Sequence, residues 1–291
     1  MRFFDFVRND TLRIGFKTIF FILIVLLTVA SAITVKQIFT SGNIKQMDIQ
    51  SASVVIPTFT PTATPSSITV STNSILDLPK DTYTIALYGD SMIDTMGEKL
   101  EILQKELYRS YPKTTFYLYN YGVGAQNIET GVARFENSFS NKERVYAPIT
   151  TINPDIIILG TFAYNPFVPH DLEKYKRDVG TLIQKAKNVS SQVYLLAEIA
   201  PKKTGFGQGE FGVNWPQEQA YQQSLLIIDQ IRAAVSMAAA EGISVINAYQ
   251  QSLLDDDFGN PIFVREEDGI HPSFEGHVLM AKTIISSLKF R

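Results

Sequence analysis

The chain has 291 residues, with 26 Lys and Arg against 29 Asp and Glu, a net charge of −3, three histidines and no cysteine. Without thiols there can be no disulfide, thiolate metal site, cysteine nucleophile or lipidated N-terminal cysteine, and three histidines leave little material for a zinc site. The slight acidic excess, with no stripe of clustered Lys and Arg, argues against nucleic acid as a partner.

The N-terminus carries a membrane signal. Thr18 to Val35, "TIFFILIVLLTVASAITV", is 18 residues without a charge, close to the minimum for a spanning helix. Arg2, Arg8, Arg13 and Lys17 precede it, so residues 1–17 are expected in the cytoplasm, 18–35 as a transmembrane signal-anchor, and the remainder outside the cell. Ala30-Ser31-Ala32 also resembles a cleavage site, and cutting near Ala32 would secrete the remainder instead. Residues 36–80, with the tract "PTFTPTATPSS", hold too few apolar side chains to pack and read as a Thr/Pro/Ser-rich linker. As a flexible coil it would hold a domain roughly 35–40 Å from its anchor. Residues 81–291 are left for one globular domain, enough to bury a full core.

Inside that domain, apolar runs alternate with segments of helical period. "TYTIALYG", ending at Gly89, precedes Met96, Leu100, Leu103 and Leu107, spaced as one helix face. "TFYLYNYG" (115–122) leads to a helix expected from about Asn127 to Phe139. "PDIIILG" (154–160) is continuously apolar, as in a strand buried on both faces of a parallel sheet. A charged helix is expected from about His170 to Lys187, then the strand "QVYLLAEI" (192–199). A Gly-rich loop, "KKTGFGQGEFGVNWP" (202–216), precedes a long helix with Ile228, Ile231, Val235 and Ala238 on one face. "ISVINA" (243–248) is the fifth strand, and the last helix carries Val278, Ala281, Ile285 and Leu288. Five β–α units in succession imply a three-layer α/β/α domain with a five-stranded parallel sheet. Ligands of such sheets sit beyond the carboxyl ends of the strands. Ser91, Asn120, Asn165 and Glu198 lie near the ends of successive strands and are expected to converge there.

A serine attacks a carbonyl well only when a base takes its proton, and the base works best when a carboxylate fixes its tautomer. "DGIHPS" (268–273) supplies both, with Asp268 three residues before His271, between the fifth strand and the last helix. Pro272 restricts His271 to extended backbone. Asp90 is expected to cap the turn that presents Ser91. Glu266 and Glu267 read as solvated charges, His170 as a surface residue and His277 as a helix residue.

"YGDSM" followed much later by "DGIHP" on such a chain resembles the SGNH (GDSL-type) hydrolases, across essentially all of 83–290. The resemblance implies the flavodoxin-like fold of that family, with Ser91 as nucleophile, His271 as general base and acid, and Asp268 as its orienter. It implies an oxyanion hole of the Ser91 and Ala125 backbone N–H groups and the Asn165 side chain. The family's second block stands here as "NYGVGAQN" (120–127), where its usual glycine falls on Ala125 or, one residue earlier, on Gly124. Its third block, usually Gly-x-Asn-Asp, stands as "GTFAYNP" (160–166), with Pro166 in place of the aspartate. No metal or organic cofactor is implied. The expected activity is hydrolysis of small acyl esters, acetyl groups on a carbohydrate or cell-envelope polymer, by a protein held to the membrane through its N-terminal helix. An acyltransferase with the same triad and a non-catalytic surface-binding domain are the alternatives. Trp215, Phe206 and Phe211 in the glycine-rich loop either pack back onto the domain or form a mobile flap over the cleft.

Overall fold

All five apolar runs expected to be strands pair in one parallel sheet in the computed structural model, which describes residues 77–255 and 257–291. The expected cytoplasmic segment, the transmembrane helix at 18–35 and the linker as far as residue 76 lie outside the described residues. Among the described residues no helix is long and apolar enough to cross a membrane.

In chain order the elements are β1 (Thr82–Gly89), α1 (Ser91–Asp94), α2 (Glu101–Ser110), β2 (Thr115–Gly122) and α3 (Ile128–Arg134). A hairpin follows, β3 (Phe139–Asn141) and β4 (Arg144–Tyr146), then β5 (Ile156–Gly160), α4 (Leu172–Lys187), β6 (Gln192–Ala197) and α5 (Gln217–Ala240). The chain ends with β7 (Ser244–Asn247), α6 (Ala248–Ser252), a second small hairpin of β8 (Leu253–Asp255) and β9 (Phe258–Gly259), and α7 (Phe274–Ser287).

The sheet order is β2-β1-β5-β6-β7. The chain therefore starts in the middle, runs outward to β2, and returns past β1 to build the other side. At such a reversal the connections leaving two neighbouring strands diverge and open a crevice at their carboxyl ends, here between β1 and β5. Alternate side chains of β1 serve the two faces. Tyr83, Ile85 and Leu87 join α2, α7 and the first half of α5 in one core layer. Ala86 and Tyr88 join α3, α4 and the later turns of α5 in the other. In α4 the buried residues Tyr175, Val179, Leu182, Ile183 and Ala186 form one stripe, and Asp171 caps the helix by accepting the Lys174 N–H. Each large side chain in that stripe contributes on the order of 1.5–3 kcal/mol of burial.

Three local expectations differ from the structure. The helix expected to reach Phe139 stops at Arg134, and Phe139 opens the β3–β4 hairpin. Its turn has Lys142 at φ 56°, without the glycine that normally advertises a hairpin turn in sequence. In α7 the buried face runs through His277, Met280, Ala281 and Ile284, with Val278 and Ile285 only partly covered. The loop after β6 is tied down rather than mobile at its root: Gly207 N–H donates to the Gly269 carbonyl (3.1 Å) and Phe211 N–H to that of Glu267 (2.8 Å).

Candidate active site

β1 ends at Gly89 because α1 folds straight back onto it. A Cβ at Gly89 would stand 2.3 Å from Ile93 Cγ1. Asp90 caps the short helix, its Oδ1 accepting the Met92 N–H at 3.0 Å, and Ser91 follows as the first helical residue, partly exposed. Helix geometry leaves the Ser91 N–H without an intrahelical acceptor. Asn120, expected at this edge, is buried and fully engaged with backbone. Its Nδ2 donates to the carbonyls of Ile93 (2.9 Å) and Gly97 (2.7 Å), and its Oδ1 accepts the Gly122 N–H (2.8 Å). It ties the α1 segment to the end of β2, with both amide hydrogens spent on backbone carbonyls.

The Asp268–His271 turn forms as its spacing suggests. Asp268 Oδ2 lies 2.9 Å from His271 Nδ1, while Oδ1 accepts the N–H groups of Ile270 (2.8 Å) and His271 (2.9 Å). Burial alone would raise the Asp268 pKa, but the imidazole and the two backbone donors outweigh it and hold the carboxyl at about 2. The carboxylate is thus ionised and oriented, and an Nδ1–H donated to it leaves Nε2 as the free base. Arg265 N–H donates to the His271 carbonyl at 2.7 Å, which fixes the histidine's backbone. His271 also interacts electrostatically with Asp90, the residue before Ser91. Glu266 and Glu267 are exposed, as expected of solvated charges. His277 sits in α7 but is buried, and burial pushes its pKa down to about 4, so it stays neutral.

The third corner comes from the loops after β2 and β5. Ala125 stands at φ 58°, the left-handed region that favours glycine, whereas Gly124 is not at positive φ. A Cβ built on Gly124 would lie 3.8 Å from that of Ser91, so the loop passes directly beside Ser91. Ala125 therefore occupies the backbone conformation that calls for glycine. Asn165 reaches the same corner. Its Nδ2 donates to Asp90 Oδ2 at 2.9 Å, leaving the second amide hydrogen available.

Beneath these residues lies a layer of buried ionisable groups whose depth and pairing the sequence did not reveal. Asp90 and Glu198 are both fully buried. Burial raises Asp90 to about 6, against hydrogen bonds from the Met92 N–H and Asn165 and the electrostatic influence of His271, which favour ionisation. Burial and then the charge on Asp90 raise Glu198 to about 8. Buried Arg134 is the nearby cation, its Nη2 donating to the Gly89 carbonyl at 2.6 Å and its guanidinium 4.0 Å from the centre of the Tyr88 ring. Asp94, at the end of α1, pairs with Lys142 (2.9 Å) and Arg144 of the β3–β4 hairpin. None of these pairs has a short-range motif. A buried Glu at a strand end was the one visible signal, in "LLAEI". Trp215 is half-buried and stacked near Phe206 (ring centres 6.4 Å apart), while Phe211 is exposed.

No family model and no curated protein sequence matches the chain. Solved structures do resemble it. A GDSL-like lipase from Bacteroides thetaiotaomicron is 15% identical with a TM-score of 0.51, the match covering 74% of this chain and 92% of the lipase. A variant of an acetyl xylan esterase from Geobacillus stearothermophilus is 14% identical with a TM-score of 0.52, covering 72% and 95%. Two further structures of that esterase are catalytic mutants, one with a serine and one with a histidine changed to alanine, each 15% identical with a TM-score of 0.50 and the same coverage. The domain thus has the fold of GDSL-type hydrolases.

Proposed function

We propose that the protein is a serine ester hydrolase in which Ser91, His271 and Asp268 act as a triad. The observation that carries the reading is the Asp268–His271 pair, 2.9 Å apart. Supporting it are the interaction of His271 with Asp90, the residue before Ser91, and a fold shared with a lipase and an acetyl xylan esterase. His271 Nε2 takes the Ser91 hydroxyl proton as Oγ attacks the ester carbonyl. The developing oxyanion is held by the N–H groups of Ser91 and Ala125 and by the Asn165 amide. His271 then protonates the leaving alcohol, and water activated by the same nitrogen releases the acid from the acyl-enzyme. The partly exposed positions of Ser91, Asn165 and His271 suit a small acyl group on a large alcohol. With the apolar N-terminal segment as export signal and anchor, the substrate we favour is an acetyl ester on an extracellular carbohydrate or cell-envelope polymer.

The test is Ser91→Ala in the domain, assayed with a chromogenic acetyl ester beside thermal melting. Turnover should fall by at least about 10³-fold with the melting temperature unchanged. Turnover close to that of the unaltered domain would reject the nucleophile. An inert wild-type domain that still binds acetylated polymer would favour a binding module instead.

A further inference from the structure

Glu198 takes no part in the steps above, yet it is fully buried just past the carboxyl end of β6, bonded to the residue that follows β5. A buried carboxyl group without a task is expensive. Its place has been cleared for it: a Cβ at Gly160 would stand 2.6 Å from Glu198 Oε1. Both its oxygens meet Thr161. Oε1 accepts the Thr161 N–H at 2.9 Å and Oε2 the Thr161 hydroxyl at 2.5 Å. The Thr161 carbonyl in turn accepts the Tyr175 hydroxyl at 2.7 Å, and the Thr161 Oγ1 accepts the Ala163 N–H at 3.2 Å. Every polar group of Thr161 is thereby fixed.

That grip falls at the start of a strained turn. Phe162 is fully buried at φ 58°, against the about 1–2 kcal/mol that a left-handed side-chain-bearing residue costs. Three residues later the same turn delivers Asn165, whose Nδ2 meets Asp90 beside Ser91. We propose that Glu198 is the positioning residue of the oxyanion side: by clamping Thr161 it holds the strained turn in the form that aims Asn165 at the reacting carbonyl. Glu198 acts only through Asn165, so its loss mimics a misplaced amide rather than a missing nucleophile. This rests on the Ser91 reading for its catalytic consequence, though not for its structural one.

The experiment is a double-mutant cycle with a small acetyl ester. Asn165→Ala should lower kcat by about 10²–10³-fold. Glu198→Ala and Thr161→Val should each lower it by roughly 10- to 100-fold, as expected of a reactive group displaced by about 1 Å, with KM within about twofold. Added to Asn165→Ala, either change should cost no more than about threefold further, because the group it positions is already gone. Losses that multiply in full, or that fall on KM, would overturn the inference. Thr161→Val keeps the shape of the side chain and carries the test if Glu198→Ala does not fold. The Asn165 side-chain amide resonance supplies a readout free of turnover. It should shift in Thr161→Val, and an unmoved resonance would overturn the clamp even in an enzyme that hydrolyses esters. An inert wild-type domain would instead sink the hydrolase reading and leave the resonance to decide the clamp.

Discussion

The two sides of the site are held by different means. On the histidine side, Asp268 accepts from the side chain of His271 and from the N–H groups of Ile270 and His271, so three hydrogen bonds close within four residues. On the proposed oxyanion side, Asn165 bonds Asp90, 75 positions away, and its turn begins at Thr161, which bonds Glu198 37 positions further on. One side is a local turn that carries its own geometry. The other is assembled by the sheet and bears two strained residues, Ala125 and Phe162, at positive φ. A local device tolerates drift in the surrounding fold, whereas an assembled one fails when any distant member moves.

The sharpest way to break that comparison is Asp268→Asn. Its Oδ1 can still accept both backbone N–H groups, so the turn should survive with little change in melting temperature. The amide that replaces Oδ2 donates where it should accept, so the imidazole loses the tautomer that frees Nε2. We expect kcat to fall by about 10³–10⁴-fold with KM nearly constant, read from turnover of the chromogenic acetyl ester. A variant as active as the parent would mean that the pair is only a surface contact.

The same contrast explains what could be read from the sequence. The central strands β1, β5 and β6 were visible because both their faces are largely buried and their apolar runs nearly continuous. The edge strands β2 and β7 were visible because short β-rich runs recur between helical segments, and the Asp268–His271 turn because its chemistry fits in "DGIH". Ala125 stood out by replacing an expected glycine. Arg134, the depth of Glu198 and the Asp94–Arg144 pair were hidden, since each joins residues that only the sheet brings together. The end of α3 was missed for a related reason. "FSNKERVY" has no glycine or proline to announce a hairpin, and its turn is made by Lys142 at φ 56°.

A smaller effect should separate the buried layer from the local turn. Glu198 is raised from 4.5 to about 8 in the folded protein. The folded state therefore binds a proton that the unfolded chain has lost between those values. Glu198 contributes its stabilisation fully below about 4.5, and the contribution is lost as pH rises through about 8. The groups facing it are Asp90 and the phenols of Tyr164 and Tyr175, and Asp90 in turn faces Arg134 and His271. The phenols stay neutral in this range, while Asp90, raised to about 6, titrates in the same sense lower down. A difference measurement removes that overlap. The melting temperature of Glu198→Gln relative to wild type should climb from pH 5 to pH 8.5, because the amide has no proton to lose. An offset constant across that range would show that Glu198 is ionised throughout.

The smallest expected effect concerns Ala125, where the two sides of the site differ most in backbone cost. At φ 58° its methyl group crowds the neighbouring backbone, a cost of about 1–2 kcal/mol that glycine does not bear. Glycine would in turn make the unfolded chain more flexible, which takes back about 0.4–1 kcal/mol. Ala125→Gly should therefore stabilise the domain by roughly 0.5–1 kcal/mol. Its N–H stays in place, so kcat on the acetyl ester should remain within about twofold, since the donor itself is what the oxyanion needs. Ala125→Val separates strain from donation in the opposite direction. It keeps an N–H, but β-branching at positive φ should lower both melting temperature and kcat. A glycine variant that melts lower than the parent would show that the alanine methyl group makes a packing contact worth more than its backbone strain. Since Ala125 is exposed, such a contact has little to pack against.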